Sequence, residues 1–63
     1  MMLIFYNRNI QDQSNIFGEL IQSCPYITDL DLSMNSITML PSDLSPFTKL
    51  SSLDIRTNPF SNV

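Results

Sequence analysis

The 63-residue sequence has no histidine or tryptophan, and it has one cysteine, one glycine and one lysine. Without histidine the chain cannot form a Ser-His-Asp triad, a Cys-His pair or a typical zinc site. One glycine is too few for a glycine-rich loop that binds phosphate. These absences predict a protein that is not an enzyme and that has no catalytic residue, cofactor or metal.

Basic residues are also scarce, since three stand against six acids and the net charge is −3. This balance argues against binding to nucleic acid or to an anionic membrane. The apolar run at 1–6 is too short for a signal peptide or a membrane span. Cys24 has no partner for an intrachain disulfide, and there is no N-x-S/T acceptor for glycosylation. We therefore expect a cytoplasmic or nuclear protein.

Two segments, beginning at Leu30 and at Leu53, share the pattern L-x-[LI]-x-x-N-x-[IF], so that Asn58 corresponds to Asn35. A weaker copy begins at Leu3, where Arg8 takes the place of the asparagine after a slightly longer repeat. The pattern, with its period in the twenties, resembles the leucine-rich repeat, L-x-x-L-x-L-x-x-N/C-x-L. The resemblance implies an α/β right-handed solenoid with short parallel strands. It also implies one partial domain over 1–63, with repeats at about 1–26, 27–49 and 50–63, the last incomplete.

The first repeat is long enough for a helix, which the resemblance places on the convex side. Apolar residues recur there at the i, i+3, i+4 and i+7 positions of one helical stripe: Phe17, Leu20, Ile21 and Cys24. Asp12 or Ser14 is expected to cap the helix, and Pro25 predicts that it ends near Ser23. Cys24 is predicted to be an apolar contact rather than a nucleophile, because no cation lies near it in sequence to lower its pKa.

The segment that connects the second strand to the third should not be helical. Pro41 and Pro46 interrupt helical hydrogen bonding there and favour an extended or 3₁₀ path. In the strands, alternation sends Leu30 and Leu32 inward, and Leu53 and Ile55 likewise. The motif asparagines, Asn35 and Asn58, are predicted to satisfy backbone groups where the chain turns away from each strand.

The residues between the inward leucines should face outward on the concave sheet and bind a protein partner. The repeat offsets predict three columns on that face: Ile4, Asp31 and Asp54; Tyr6, Ser33 and Arg56; Asn7, Met34 and Thr57. Tyrosine and arginine are common binding hot spots, so Tyr6 and Arg56 are the first candidates. The function predicted from the resemblance is that of a non-enzymatic scaffold for protein–protein interaction.

Three acids belong to this predicted face, and they admit more than one interpretation. Asp29, Asp31 and Asp54 could coordinate a hard cation or act as an acid/base pair. Aspartate between the two apolar strand residues is frequent in the family, so an ordinary solvated surface is the simpler account. Like charges on neighbouring strands cost stability, and a basic partner surface would relieve that cost.

Other functional hypotheses remain open. The sequence is short for a repeat domain, so the segment is a candidate fragment of a larger regulatory enzyme or of an F-box-type substrate adaptor. Its open C-terminal end could also mediate self-association. Separately, Asn58-Pro59-Phe60 resembles the Asn-Pro-Phe ligand of EH domains, although its register assigns Asn58 and Phe60 to the core.

Overall fold

The computed structural model, which describes residues 1–60, contains three short strands with a leucine at the centre of each. The strands are β1 (Met2–Ile4), β2 (Asp29–Asp31) and β3 (Ser52–Asp54). They form one open parallel sheet in the order β1-β2-β3. The radius of gyration is 11.0 Å, close to the value of about 10.6 Å expected for a compact chain of this length. The chain is therefore a small compact α/β fold.

The register of the sheet follows the spacing of the sequence pattern. Leu3 pairs with Leu30 and Leu30 with Leu53, so each strand pairs at the same offset that separates the motif copies. Backbone bonds continue this register past the strand ends, where the Asn7 amide donates to the Ser33 carbonyl (3.1 Å) and the Met34 amide to the Arg56 carbonyl (2.9 Å). The predicted register is confirmed for the first column, and these backbone bonds continue it past the strand ends.

The connection from β1 to β2 holds the helix. A 3₁₀ turn at Asp12–Ser14 precedes α1 (Ile16–Ser23), which ends where Pro25 predicts. The predicted caps are wrong. The N-cap is Asn15, in the left-handed region at φ 52°, and its side chain makes no capping hydrogen bond. Gly18 leaves the room for this arrangement, because a Cβ there would lie 2.6 Å from the Asn15 amide group.

Asp12 and Ser14 are used elsewhere, which explains why neither caps α1. The Ser14 hydroxyl accepts from the Gln11 amide (3.1 Å) inside the 3₁₀ turn. The Asp12 carboxylate accepts from both the amide and the hydroxyl of Thr38. Asp12 therefore joins the first connection to the segment that follows β2, and this long-range contact has no local signature in the sequence.

The connection from β2 to β3 is not helical, as the two prolines predict. Within 38–51 the chain is extended or turning, with the Phe47 amide donating to the Leu44 carbonyl at 3.0 Å. No 3₁₀ segment is assigned in that range, so the extended alternative of the prediction is the one observed. The third predicted repeat, 50–63, extends into residues 61–63, which lie outside the described residues.

One apolar core lies between the sheet, α1 and the second connection. Its most deeply buried side chains belong to β2 and its flanks and are at most 2% exposed: Ile27, Leu30, Leu32 and Ile37. Ile10, Phe17, Leu20 and Phe47 complete the buried cluster. Cys24 is half-buried against this cluster, in agreement with its predicted packing role. Leu53 and Ile55 also contact the cluster but are only half-buried, since β3 has a neighbouring strand on one side alone within residues 1–60.

Candidate functional site

The candidate site is the solvent face of the sheet, the side opposite the three aligned leucines. It forms because side chains alternate along a strand, so the neighbours of each inward leucine point outward. Outward side chains from all three strands line a shallow depression of about 310 Å³. Leu30 of β2 also contributes to the lining, and the outward residues are Met2, Ile4, Asp29, Asp31, Ser52 and Asp54.

The first predicted column, Ile4, Asp31 and Asp54, lies in register across the three strands. Ile4 is exposed on β1, and the two aspartates are half-buried. The structure thus brings one aliphatic side chain and two carboxylates together. Ile4 lies near the start of the sequence, Asp31 near its middle and Asp54 near its end.

Hydrogen bonds fix the Asp31 side chain. Its Oδ1 accepts from the Ser33 amide (2.9 Å) and from the Ser33 hydroxyl (2.6 Å). Ser33 itself is only 7% exposed. Ser33 therefore orients Asp31 and offers little surface of its own, although the sequence places it in the second column with Tyr6 and Arg56.

Arg56 and Asp54 form an ion pair within the β3 segment. The Asp54 carboxylate accepts from Arg56 Nε at 3.0 Å and Nη2 at 2.8 Å, and from the Arg56 amide at 3.1 Å. The side-chain hydrogen bond with Arg56 is the main cause that lowers the pKa of Asp54, and it also raises the pKa of Arg56. The Arg56 side chain is 84% exposed, so a partner can still reach it.

The third predicted column shares an unusual backbone conformation. Asn7, Met34 and Thr57 all lie in the left-handed region, with φ of 55°, 56° and 58°. All three are exposed. This conformation is unfavourable for residues other than glycine, asparagine and aspartate, and most unfavourable for a β-branched residue such as Thr57. The same left-handed residue thus follows each strand, and in the second and third strand segments it immediately precedes the motif asparagine.

The residue after this turn is the motif asparagine, and its side chain points into the fold. Asn35 is 8% exposed, and its Oδ1 accepts from the amides of Arg8 (2.9 Å) and Ile10 (3.0 Å). Its Nδ2 donates to the carbonyls of Phe5, Leu32 and Ser33 at 2.9 to 3.2 Å. The predicted structural role of Asn35 is confirmed.

Asn58 makes the corresponding bonds one strand further on. Its Oδ1 accepts from the Ile37 amide (3.0 Å), and its Nδ2 donates to the carbonyls of Leu32, Ile55 and Arg56 at 2.9 to 3.2 Å. Leu32 O therefore accepts from both asparagines, which fills its two lone pairs. The predicted structural role of Asn58 is also confirmed.

These contacts bear on the Asn-Pro-Phe segment, 58–60. The Asn58 amide is engaged in four hydrogen bonds, and Phe60 is half-buried against the core cluster. A linear ligand would have to release both side chains before it could bind. The EH-domain hypothesis therefore requires local unfolding of this end of the fold.

The three acids do not form a metal site in the part of the chain that the structure describes. Within residues 1–60, no three side chains of the histidine, cysteine, aspartate and glutamate types come together as metal ligands. Asp29 Oδ2 accepts from the Thr28 hydroxyl at 3.0 Å. The acids are therefore arranged as separate, partly hydrogen-bonded carboxylates on one face.

Sequence reasoning missed one part of the site, the outward position at the start of β1. Met2 is 60% exposed and lies in register with Asp29. The alternation that marks Tyr6 and Ile4 as outward residues extends to Met2, so the signal was present in the sequence.

A second depression lies away from the sheet face. It has a volume of about 300 Å³ and is lined mainly by apolar residues of α1 and of the segment 37–41. Met39 and Leu40 are exposed at its edge. None of the predicted site residues belongs to it.

Comparisons of the chain with protein-family models, with curated proteins and with solved structures find no match. Within residues 1–60, no helix has the length and apolar character needed to cross a membrane.

Proposed function

We propose that this chain is a leucine-rich-repeat segment that works as a non-enzymatic scaffold and binds a protein partner on the solvent face of its sheet. In this proposal the solvent face is the concave side of a right-handed solenoid, and α1 lies on the convex side. The partner carries a basic surface. The observation that carries the proposal is the shared depression to which all three strands contribute outward side chains.

The repeat assignment is supported by the equivalence of the asparagine contacts. Asn35 and Asn58 reach back to the preceding strand segment and donate to carbonyls at positions that correspond to one another. The connections between parallel strands are also expected to be right-handed, as nearly all such crossovers are. The matching asparagine contacts suit a stack of similar units.

The binding assignment is supported by the chemistry of the face. Tyr6 and Arg56 are exposed and belong to the residue types enriched at binding hot spots. Asp29, Asp31 and Asp54 give the face an excess of negative charge, which a basic partner would complement.

A pull-down with matched variants tests the proposal. The face variant is Tyr6→Ala with Arg56→Ala, two exposed residues of the second column. The control is Tyr26→Ala with Lys49→Ala, which removes an aromatic and a basic residue from exposed positions outside the three columns. We expect at least one protein that is retained by the wild type and the control and is lost by the face variant.

The proposal fails if every retained protein is retained equally by the face variant while circular dichroism shows that both variants keep the wild-type fold. Sedimentation of the wild type in the same buffer separates partner binding from self-association at the edge of β3 that has no neighbouring strand within residues 1–60.

A further inference from the structure

An apolar strip and an acidic strip lie side by side on the solvent face. The apolar strip belongs to β1 and its extension, where Met2, Ile4 and Tyr6 are 60%, 58% and 50% exposed. The acidic strip belongs to β2, where Asp29 and Asp31 are half-buried. Within residues 1–60, each of the three apolar side chains thus keeps half or more of its surface uncovered.

The two acids of β2 differ from the acid of β3 in their charge balance. Asp54 is paired with Arg56, and this is the only ion pair in residues 1–60. Asp29 and Asp31 accept hydrogen bonds from the hydroxyl groups of Thr28 and Ser33, and neither acid forms an ion pair in residues 1–60. Two cations lie near them: the N-terminal ammonium group donates to the Thr28 hydroxyl at 3.0 Å, and the charge of Asp31 contributes to the raised pKa of Arg56. Three aspartates on the face outnumber these two cations, so the face keeps a net negative charge that a basic ligand can complement.

The register couples each of these acids to one apolar side chain. Met2 lies beside Asp29, and Ile4 lies beside Asp31. Neighbouring strands are about 4.8 Å apart, and alternate residues of one strand are about 6.6 Å apart. The face thus presents two copies of one feature, an apolar contact next to a carboxylate, at a spacing of about 6.6 Å.

Lysine and arginine match this feature, since each has an apolar stem that ends in a cation. The stem can cover Met2 or Ile4 while the charged head reaches the adjacent carboxylate. In the turn that follows β1, the exposed ring of Tyr6 offers a cation–π contact in place of a carboxylate. The strip therefore has places for three basic side chains in a line.

We infer that the solvent face binds an extended protein segment with basic residues at alternate positions, of the type K/R-x-K/R-x-K/R. Alternate residues of an extended segment share one side at the same spacing of about 6.6 Å. In a helix, residues four apart rotate by about 40° at each step, so the third basic side chain would leave a straight strip. This inference rests on the proposed function and specifies the partner of the same face.

Three fluorescein-labelled peptides test the inference by fluorescence anisotropy at low salt. The first alternates arginine and serine, with three of each. The second has the same composition with the three arginines contiguous, and the third places arginines at i, i+4 and i+8 of an alanine-rich helix. We expect the alternating peptide to bind about threefold or more tightly than either of the others, equivalent to about 0.7 kcal/mol.

Variants of the chain locate the binding. Asp29→Asn with Asp31→Asn should weaken binding of the alternating peptide about 3- to 10-fold, as expected for the loss of two surface ion pairs. The control, Glu19→Gln with Asp43→Asn, makes the same change in net charge at exposed positions outside the depression and should change binding less than about twofold. Circular dichroism of both variants checks that each retains the fold.

The peptide results can overturn the inference on their own. If the alternating and contiguous peptides bind equally, the face attracts positive charge but does not recognise the spacing of the basic residues. If the helical peptide binds most tightly, the partner segment is helical. Equal weakening by the two pairs of substitutions places the contact elsewhere. Any of these results overturns the inference, whereas the proposed function is decided by the separate pull-down with the Tyr6 and Arg56 variants.

Discussion

The layers around β2 and β3 contain the same sequence motif but differ in burial. In the central layer, Leu30 and Leu32 are 2% and 0% exposed. In the β3 layer, the corresponding Leu53 and Ile55 are half-buried. The central layer has a strand on both sides, whereas β3 has one neighbour in residues 1–60. The motif therefore specifies which way a side chain points, and the neighbouring layers determine what fraction of that side chain is buried.

The same difference extends to the polar groups of the motif. Asn35 is buried and makes five side-chain hydrogen bonds, while Asn58 is half-buried and makes four. Equivalent substitutions in the two layers should therefore have unequal effects on the free energy of unfolding, and each pair of variants tests the comparison.

The largest difference is expected for the inward aliphatic residues. Leu32→Ala should lower the free energy of unfolding by about 2–5 kcal/mol, because it removes a fully buried side chain and leaves a cavity. Ile55→Ala should cost about 1–2 kcal/mol, since part of the side chain is already in water. Urea denaturation followed by circular dichroism measures both values. Equal losses would show that the two layers are equally packed in solution.

The asparagines should give the next largest difference. Asn35→Ala leaves the amides of Arg8 and Ile10 without their acceptor and should cost about 3 kcal/mol. Asn58→Ala leaves the amide of Ile37 unpaired and should cost about 1–2 kcal/mol. The same denaturation experiment applies, and hydrogen exchange at the three named amides gives an independent readout. A larger loss for Asn58→Ala would reverse the ranking of the layers.

Relief of backbone strain should give a smaller effect of opposite sign. Thr57→Gly should raise the free energy of unfolding by about 1 kcal/mol, because a β-branched residue is unfavourable at φ 58°. Asn7→Gly is the matched control and should change it by less than about 0.5 kcal/mol, since asparagine tolerates this region at φ 55°. Thermal melts of the two variants measure both changes. A lower melting temperature for Thr57→Gly than for the wild type would contradict the predicted relief of strain.

The smallest effect should come from acid titration. The hydrogen bond from the Thr38 side chain lowers the pKa of Asp12 below its ordinary value of 3.8, and that from Arg56 does the same for Asp54. A lowered pKa in the folded state contributes stability above the ordinary value, and this contribution is lost as the pH falls through the lowered value.

Melting temperatures measured from about pH 5 to about pH 2 should therefore fall less steeply for Asp12→Asn and for Asp54→Asn than for the wild type. Both carboxylates remain in contact with solvent, so each change should be small. A pH dependence identical to that of the wild type would show that these hydrogen bonds do not form in solution.

Much of the fold could be predicted from sequence because its signals are local and periodic. The alternation around Leu30 and Leu53 indicates strands, the spacing of the motif copies gives the register, and Pro25 marks the end of α1. The helix cap could not be predicted in the same way. Asp12 has the right chemistry for a cap, but it lies three residues before the N-cap Asn15 and binds Thr38, and no local pattern contains that contact.

The candidate site likewise has features that the sequence predicts and features that only the structure shows. The sequence orders the predicted outward residues into columns, and the strand pairing confirms the first of them, Ile4, Asp31 and Asp54. The burial of Ser33 and the pairing of Arg56 with Asp54 depend on side-chain packing, and so the sequence did not indicate them. As a result, the acids that form no ion pair within residues 1–60 could be identified only after the side chains were placed.

The sequence by itself determined the direction of each strand side chain and the register between strands, because both follow from spacing along the chain. The tertiary structure alone decided which copies of the motif are fully buried and which charges are neutralised. Those properties depend on the atoms that surround a residue, and in this fold many of those atoms belong to the neighbouring layers rather than to the residue's own segment.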